Sequence, residues 1–407
     1  TEALLHLDAA LALEVDPLDY CANRLGLGQD LVLQRAADWA GLTFAARVPR
    51  TRPGSLVIYR IERLGEIRTI RAKLFEHEIV YSAPRFSDFL RLRLAARDPA
   101  FRSRFCVVPL ASIRSELAST GADALLIEAR QRLVRRWPNA SGSVSAPRSR
   151  RIAFAVSMLL LMVFILAAPT LFEAAFLPIV AALLLIPALM RLWAAVSRRP
   201  PRSPPAMLSD AELPTYSVLV PLRDEAQMVP QLALAMRGLD FPPEKLRVHF
   251  IVEETSGATV DAVRRELSDP RFELIVVPDA LPRTKPKALN YALPMVTGQF
   301  LVVYDAEDIP EAGQLRLAAS TFAEQPDIGC LQAELVVDNA DESLLTALFA
   351  GEYAGQFGLM LPLIARLGLP MPLGGTSNHF RVAALRGLGG WDSFNVTEDA
   401  DLGVRLA

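Results

Sequence analysis

The sequence predicts an α/β domain with a mostly parallel sheet, preceded by a two-helix transmembrane hairpin and a small α+β N-terminal domain. Three observations carry this. After residue 214, β-branched runs alternate with helical segments. Two nearly uncharged apolar runs stand at 152–168 and 174–196. The first 140 residues mix short helical and strand patterns with a soluble composition.

The chain has 407 residues, enough for two or three domains. Hydrophobic residues make up 52% and the mean hydropathy is +0.27, so a membrane segment is the first thing to seek. The formal net charge of −2 gives no bias toward nucleic acid. Cys21, Cys106 and Cys330 are odd in number and far apart, which excludes a full disulfide framework and a CxxC metal site. They read as reduced, cytosolic thiols. Four histidines show no metal-ligand spacing. The first residue is Thr1 and the last, Ala407, falls inside a helical pattern, so the chain is expected to be a fragment. No signal peptide is visible.

Residues 1–140 form the expected N-terminal domain. Asp16-Pro17 opens a helix, and a second amphipathic helix runs from about Asp30 to Ala40. Short strands are expected within 55–82, on Leu56-Val57-Ile58-Tyr59 and Glu78-Ile79-Val80-Tyr81. Two helices follow, about 87–97 and 121–136. From Arg47 to Arg104 there are 14 Lys/Arg against 6 Asp/Glu, a local basic surplus. A Ser/Gly/Pro-rich linker closes the segment at 141–151.

The runs 152–168 and 174–196 can each cross a hydrocarbon core of ~30 Å, which takes about 20 helical residues and tolerates about 17. The turn Pro169–Glu173 joins them. Arg148, Arg150 and Arg151 precede the pair, and Arg198, Arg199 and Arg202 follow it. Basic outer flanks predict that both ends lie in the cytoplasm of a bacterial-type inner membrane. Beyond a Pro-rich linker, 198–213, strands are expected at Tyr216–Pro221, Arg247–Val252, Leu274–Val277 and Phe300–Tyr304. Helices are expected near 226–238, 257–268 and 285–296. In such sheets ligands bind beyond the carboxyl ends of the strands. Arg223-Asp224-Glu225, Glu253-Glu254 and Asp305 all begin there.

Asp305, Glu307 and Asp308 put three carboxylates at one strand end, where they repel unless cations neutralise them. Mg2+ or Mn2+ suits such oxygen donors and shares its shell with substrate phosphates. Asp308, before Pro310, can instead cap a helix. Thr397-Glu398-Asp399 has the same two readings: a capped helix start, or a general base at Asp399. Arg283, Lys285 and Lys287, with Asn290 one turn on, form either a solvated basic face or a site for a nucleotide diphosphate. Gly374-Gly375-Thr376-Ser377-Asn378 is a turn whose glycines admit a close ligand. Trp391-Asp392 is either a sugar-stacking shelf or core.

Taken in order, Val220-Pro221-Leu222-Arg223-Asp224-Glu225, Glu253-Glu254, Lys287-Ala288-Leu289-Asn290, Asp305-Ala306-Glu307-Asp308, Gly374-Gly375-Thr376-Ser377-Asn378 and Thr397-Glu398-Asp399 resemble the motifs of inverting family 2 glycosyltransferases, including cellulose and hyaluronan synthases. The resemblance covers about 214–407. It implies the GT-A nucleotide-sugar fold and a membrane enzyme of polysaccharide or glycoconjugate synthesis. Its donor would be a nucleotide sugar, foremost a UDP-sugar, and its acceptor a sugar or glycan.

Residue by residue, the resemblance implies that Pro221, Arg223, Glu225, Glu253 and Glu254 hold the base. Lys287, Asn290, Gly375, Thr376 and Ser377 would complete the donor site. Asp305 and Glu307, with Asp308 adjacent, would hold Mg2+ or Mn2+. Asp399 would be the catalytic base, with Glu398 beside it. The family more commonly has an Asp pair where this chain has Glu253-Glu254. The QxxRW motif of processive members lies downstream of the last motif and is not in the chain.

Residues 1–140, through Asn23-Arg24-Leu25-Gly26-Leu27 and the helix to Gly41-Leu42, resemble the N-terminal domain of type II secretion ATPases, some of which bind cyclic di-GMP. Two rival functions follow: a catalytically silent scaffold or surface-receptor component that keeps the fold, and a cyclic-di-GMP-responsive sensor. Intact Asp305, Asp399 and Lys287 favour the enzyme.

Overall fold

The computed structural model describes residues 2–49, 61–74, 77–143, 148–171, 173–197 and 204–407. The expected strand at Leu56–Tyr59 and the flanking Arg198, Arg199 and Arg202 lie outside them.

The N-terminal domain begins with α1 (Glu2–Ala12), α2 (Pro17–Arg24) and α3 (Gln29–Ala40). Asp16 caps α2 by accepting from the Leu18 N–H at 2.9 Å, and Pro17 needs no donor there. Gly41 ends α3 at φ +71°, a left-handed position that favours glycine. Next come β1 (Thr43–Phe44), a 3-10 turn at Ile61–Glu66, β2 (Thr69–Leu74), β3 (His77–Ser82), α4 (Phe89–Ala95), α5 (Pro99–Arg104) and β4 (Phe105–Val107). The four strands make one sheet in the order β1-β4-β3-β2, with β2 antiparallel to β3 and the other pairings parallel. Helices α6 (Leu110–Thr120) and α7 (Ala122–Arg136) complete the domain.

Helices α8 (Arg148–Leu171) and α9 (Glu173–Val196) are in contact with each other and expose their apolar side chains almost throughout. Their spans of 23 and 21 residues each hold an 18-residue stretch of mean hydropathy 2.6 and 2.2. A third helical stretch, Leu344–Arg366, is also long and apolar enough to cross a membrane, at mean hydropathy 1.2. It was not anticipated from the sequence, because Glu352 and several glycines dilute its apolar signal. It comprises α14 (Leu344–Gly355), a π-helical turn at Gln356–Met360 and α15 (Leu361–Arg366). Arg366 donates to the Ser197 carbonyl at 3.0 Å, just past the end of α9.

The C-terminal α/β domain is built on β5 (Tyr216–Leu222), α10 (Val229–Arg237), β6 (Leu246–Glu253), α11 (Gly257–Glu266), β7 (Phe272–Val277), α12 (Lys285–Ala292), β8 (Phe300–Val303), α13 (Gln314–Glu324), β9 (Cys330–Gln332), β10 (Asn378–Arg381), α16 (Val382–Leu388) and α17 (Glu398–Leu406). The six strands run β7-β6-β5-β8-β10-β9. The first four are parallel, and β10 is antiparallel to both β8 and β9. The expected parallel sheet is therefore mixed at one edge.

A parallel sheet must be covered on both faces. Along β5, successive side chains alternate between two cores. Val218 and Val220 pack with Val248, Phe250, Leu232 and Phe322 on one face. Leu219 joins Ile251, Leu301 and Val303 on the other, with Leu64, Ile113, Leu117, Leu125 and Ala129 of the N-terminal domain. The N-terminal domain thus supplies part of the cover for the six-stranded sheet. The seam is tight. A Cβ built on Gly65 would fall 2.3 Å from the Met295 carbonyl oxygen. Arg114 clamps Glu273 through Nη1 at 2.7 and 2.9 Å. Burial alone would raise the Glu273 carboxyl, but Arg114 and His249 hold it well below the usual range.

Candidate active site

The β-strand ends place the site. After β8, Asp305 and its neighbours turn sharply. Asp308 accepts from the Asp305 N–H at 2.7 Å and from the Thr376 hydroxyl. It caps no helix, since α13 begins at Gln314 after Gly313. The carboxylate of Asp308 is thus spent on folding the turn, which leaves Asp305 half-buried and Glu307 exposed.

Lys285 stands over this turn. Its Nζ lies 2.5 Å from Asp305 Oδ1 and donates to the Gly375 carbonyl at 2.7 Å. Thr284 begins α12 and accepts from the Lys287 N–H with its side chain. Lys287 is fully buried and pairs with Glu253 at 2.8 and 3.0 Å. Glu253 and Lys287 therefore strap β6 to α12. Glu254 is exposed, and its Oε2 meets the Asp279 N–H at 3.4 Å.

Near the end of β5, Pro221 is half-buried, and just beyond the strand Asp224 takes φ +58°. Ser256 holds that turn by accepting from the Asp224 N–H and donating to Asp224 Oδ1 at 2.8 Å. Glu225 accepts from the Arg223 N–H at 3.1 Å, and Arg223 reaches the Arg283 carbonyl at 3.3 Å. This brings the Arg223–Glu225 turn to the start of α12.

The glycine turn is held by Gln332, a residue that sequence reasoning missed. Its Oε1 accepts from the Gly374 N–H at 2.7 Å and its Nε2 donates to the Thr376 carbonyl at 3.0 Å. Only its pairing opposite Asn378 in the sheet explains this, and no local motif signals it. Ser377 sits at φ +55° and donates its N–H to the Val303 carbonyl at 2.9 Å. Gly375 borders Asp399, because a Cβ there would lie 3.9 Å from Asp399 Oδ2.

Asp399 stands in the first turn of α17 and is 8% exposed. Thr397 makes no side-chain cap and instead donates its hydroxyl to Asn395. Burial pushes the Asp399 carboxyl up to about 7, against the pull of Lys285; Glu398 and Asp305 add to the rise. Glu398 is also raised, first by burial, with Lys285 opposing and Asp305 adding. Lys285 itself is raised: burial draws it down, but Asp305, Asp399 and Glu398 outweigh that.

Two expected residues face elsewhere. Asn290 donates to the Ala129 carbonyl of α7, the Trp391 carbonyl and Ser393 Oγ, and accepts from the Trp391 N–H. Its amide is committed to the seam with the N-terminal domain. Trp391 is fully buried against Phe380, so it is core and not a shelf. Asp392 accepts from Ser141 Oγ and the Gly142 N–H. Arg24, of the N-terminal motif, pairs with Glu244 at 2.7 Å.

The donors fit a divalent cation. Among the described residues no three His, Cys, Asp or Glu side chains converge as a closed ligand set. Mg2+ needs only one or two carboxylates when substrate phosphates complete its shell. Asp305 and Glu307 provide hard oxygens. Their charges raise the carboxyls of Glu225 and Asp308, both lifted chiefly by burial, and a cation would relieve that repulsion.

Residues 214–407 match the profile of "Glycosyltransferase like family 2". The β-monoglucosyldiacylglycerol synthase of Trichormus variabilis is 28% identical over 196 residues, covering 48% of this chain and 41% of that protein. The probable glycosyltransferase YdaM of Bacillus subtilis is 27% identical over 202 residues, covering 48% and 47%. A probable glucomannan 4-β-mannosyltransferase of Arabidopsis thaliana is 25% identical over 213 residues, covering 49% and 38%. The chain thus spans less than half the length of these relatives. A mannosyltransferase of Pyrobaculum calidifontis, solved with GDP-Man and Mn2+, aligns at TM-score 0.42 and 24% identity over 56% of this chain and 61% of that one. Residues 214–407, a little under half of the chain, thus carry a family 2 glycosyltransferase domain.

Proposed function

We propose that the chain carries a membrane-anchored inverting glycosyltransferase that moves a sugar from a nucleotide-sugar donor, foremost a UDP-sugar, to an acceptor hydroxyl in polysaccharide or glycoconjugate synthesis. The observation that carries this is Asp399: a buried carboxylate raised to about 7, beside Gly375 and within the field of the Lys285–Asp305 pair. A general base works best with a pKa near the operating pH.

In this reading Asp399 takes the proton from the acceptor hydroxyl. The oxygen then attacks the anomeric carbon from the face opposite the diphosphate, a C–O bond forms, and the bond to the diphosphate breaks with its electron pair. Lys285 lies where it can meet the charge that develops on the leaving group. Mg2+ or Mn2+, held by Asp305 and Glu307, would supply Lewis-acid charge neutralisation. Arg223, Glu225 and Glu254 line the approach for the base, while Pro221, Lys287, Glu253, Thr376 and Ser377 hold the strand-end turns.

The spans α8 and α9 anchor the chain in the inner membrane, with both flanking domains in the cytoplasm. Basic residues at the start of α8 support that side. The stretch Leu344–Arg366 fits the membrane interface better than a third crossing. Its two ends return to β9 and β10, where Gln332 pairs with Asn378. A crossing would send the non-helical return segment back through hydrocarbon with unsatisfied backbone groups.

The test is turnover of nucleotide sugars by the purified chain with Mg2+ or Mn2+, reading the anomeric configuration of the product by NMR. Transfer with inversion supports the reading. Retention of configuration would overturn the inverting assignment, and binding without turnover across a full donor and acceptor panel would favour the silent scaffold.

A further inference from the structure

A cleft of about 420 Å³ opens between α7 of the N-terminal domain and α16 of the transferase domain. That is the size of a ligand pocket. Arg63, Arg132, Arg135, Arg136 and Arg386 line it, against only Glu62 and Glu128. Glu128 is already taken, by Arg132 Nε at 2.8 Å and by Arg135. Arg63 meets Glu66 only at 3.6 Å. Arg386 is fixed in place, since its Nη2 donates to the Leu293 and Val296 carbonyls.

Two guanidinium nitrogens, Arg132 Nη2 and Arg386 Nε, are shut from solvent and find no acceptor among the described residues. A buried donor on a cation that lacks an acceptor is costly. Burial lowers Arg386, and Arg63 and Arg132 repel it further, against Glu66 and Glu62. Several arginines on one cleft with spare planar donors match phosphate oxygens, which accept bidentate bonds and carry more than one charge.

The cleft is separate from the carboxylate site. Helix α12 and the 3-10 turn that follows it lead from Lys285 at Asp305 to Leu293 at Arg386, about 12 Å by helical rise. We propose that this cleft is a second anion site, which takes a phosphate-bearing ligand with two or more negative charges. Helix α7 carries three of the five arginines and also bonds Asn290 and Ser393 through the Ala129 carbonyl, so a ligand there grips a helix tied to the segment before Asp399.

The experiment is calorimetric titration of pyrophosphate into the whole chain in phosphatidylcholine nanodiscs, with EDTA present so that no metal draws the probe to Asp305. We expect one saturable site. Arg132→Gln combined with Arg136→Gln should weaken it at least tenfold, and Lys285→Gln should leave it unchanged, with thermal unfolding confirming the fold of each. If the double variant does not fold, Arg136→Gln alone carries the test and should weaken binding at least threefold. Repeating the titration in phosphatidylglycerol nanodiscs identifies the source: competition there means lipid phosphates fill the cleft, and undiminished binding means a soluble ligand does. The proposal is overturned by absence of saturable binding, by binding indifferent to the arginine variants, or by binding lost in Lys285→Gln and kept in the arginine variants.

Discussion

Replacing Asp399 by Asn separates catalysis from helix capping, because the two roles predict opposite stability changes. The folded carboxyl titrates at about 7, while its ordinary value is 3.8. A raised folded value means that the native state holds the proton more tightly than the unfolded chain does. The resulting stability is present in full below about pH 4 and is lost as pH rises through about 7. Roughly three pH units at 1.36 kcal/mol each give about 4 kcal/mol of ionisation cost carried by the native protein above pH 7. Asn escapes that cost but loses the attraction of Lys285, so this figure is an upper bound. Thermal unfolding in EDTA at pH 5 and pH 8.5 should show the variant gaining on the parent as pH rises. Transfer should fall about 10²–10⁴-fold, with nucleoside diphosphate affinity nearly unchanged. In the parent, turnover should rise with pH through about 7. A variant that is less stable at both pH values and turns over normally would end the general-base assignment and favour a helix-start acid.

Three further outcomes are expected. Asp305→Asn should remove most donor turnover while the melting temperature holds, and EDTA should do the same to the parent; full activity in EDTA would exclude the metal reading. A reporter fused near Ser143 should be active only on the cytoplasmic side, and a periplasmic signal would reverse the topology. Arg114→Ala leaves Glu273 buried without its cation, which should cost about 3–5 kcal/mol in denaturant unfolding of the whole chain; a loss under 1 kcal/mol would mean that the two domains do not depend on this pair.

Some of this protein was legible one residue at a time. The strands Tyr216–Leu222, Leu246–Glu253 and Phe300–Val303 are runs whose β-branched side chains suit a sheet buried on both faces, so their apolar pattern announces them. The uncharged runs of α8 and α9 announce themselves by length. Asp16-Pro17 signals a helix start by local capping chemistry alone. The order of the acidic, basic and glycine motifs carried the family resemblance.

The tertiary structure decided what those residues do to one another. Asp308 and Asp305 are two of three adjacent acids in sequence, yet one folds the turn and the other faces Lys285, because Thr376 arrives from 71 and 68 residues away. Asn290 reads as a ligand contact beside Lys287, but a helix turn directs it to Ala129, 161 residues upstream. The edge strands β9 and β10 are too short to announce themselves, and they exist through pairing. The raised Asp399 carboxyl comes from burial by chain distant in sequence, and so does the cover that the N-terminal domain lays over the sheet. Periodicity and capping act within a few residues, whereas desolvation and side-chain pairing depend on which distant segments meet.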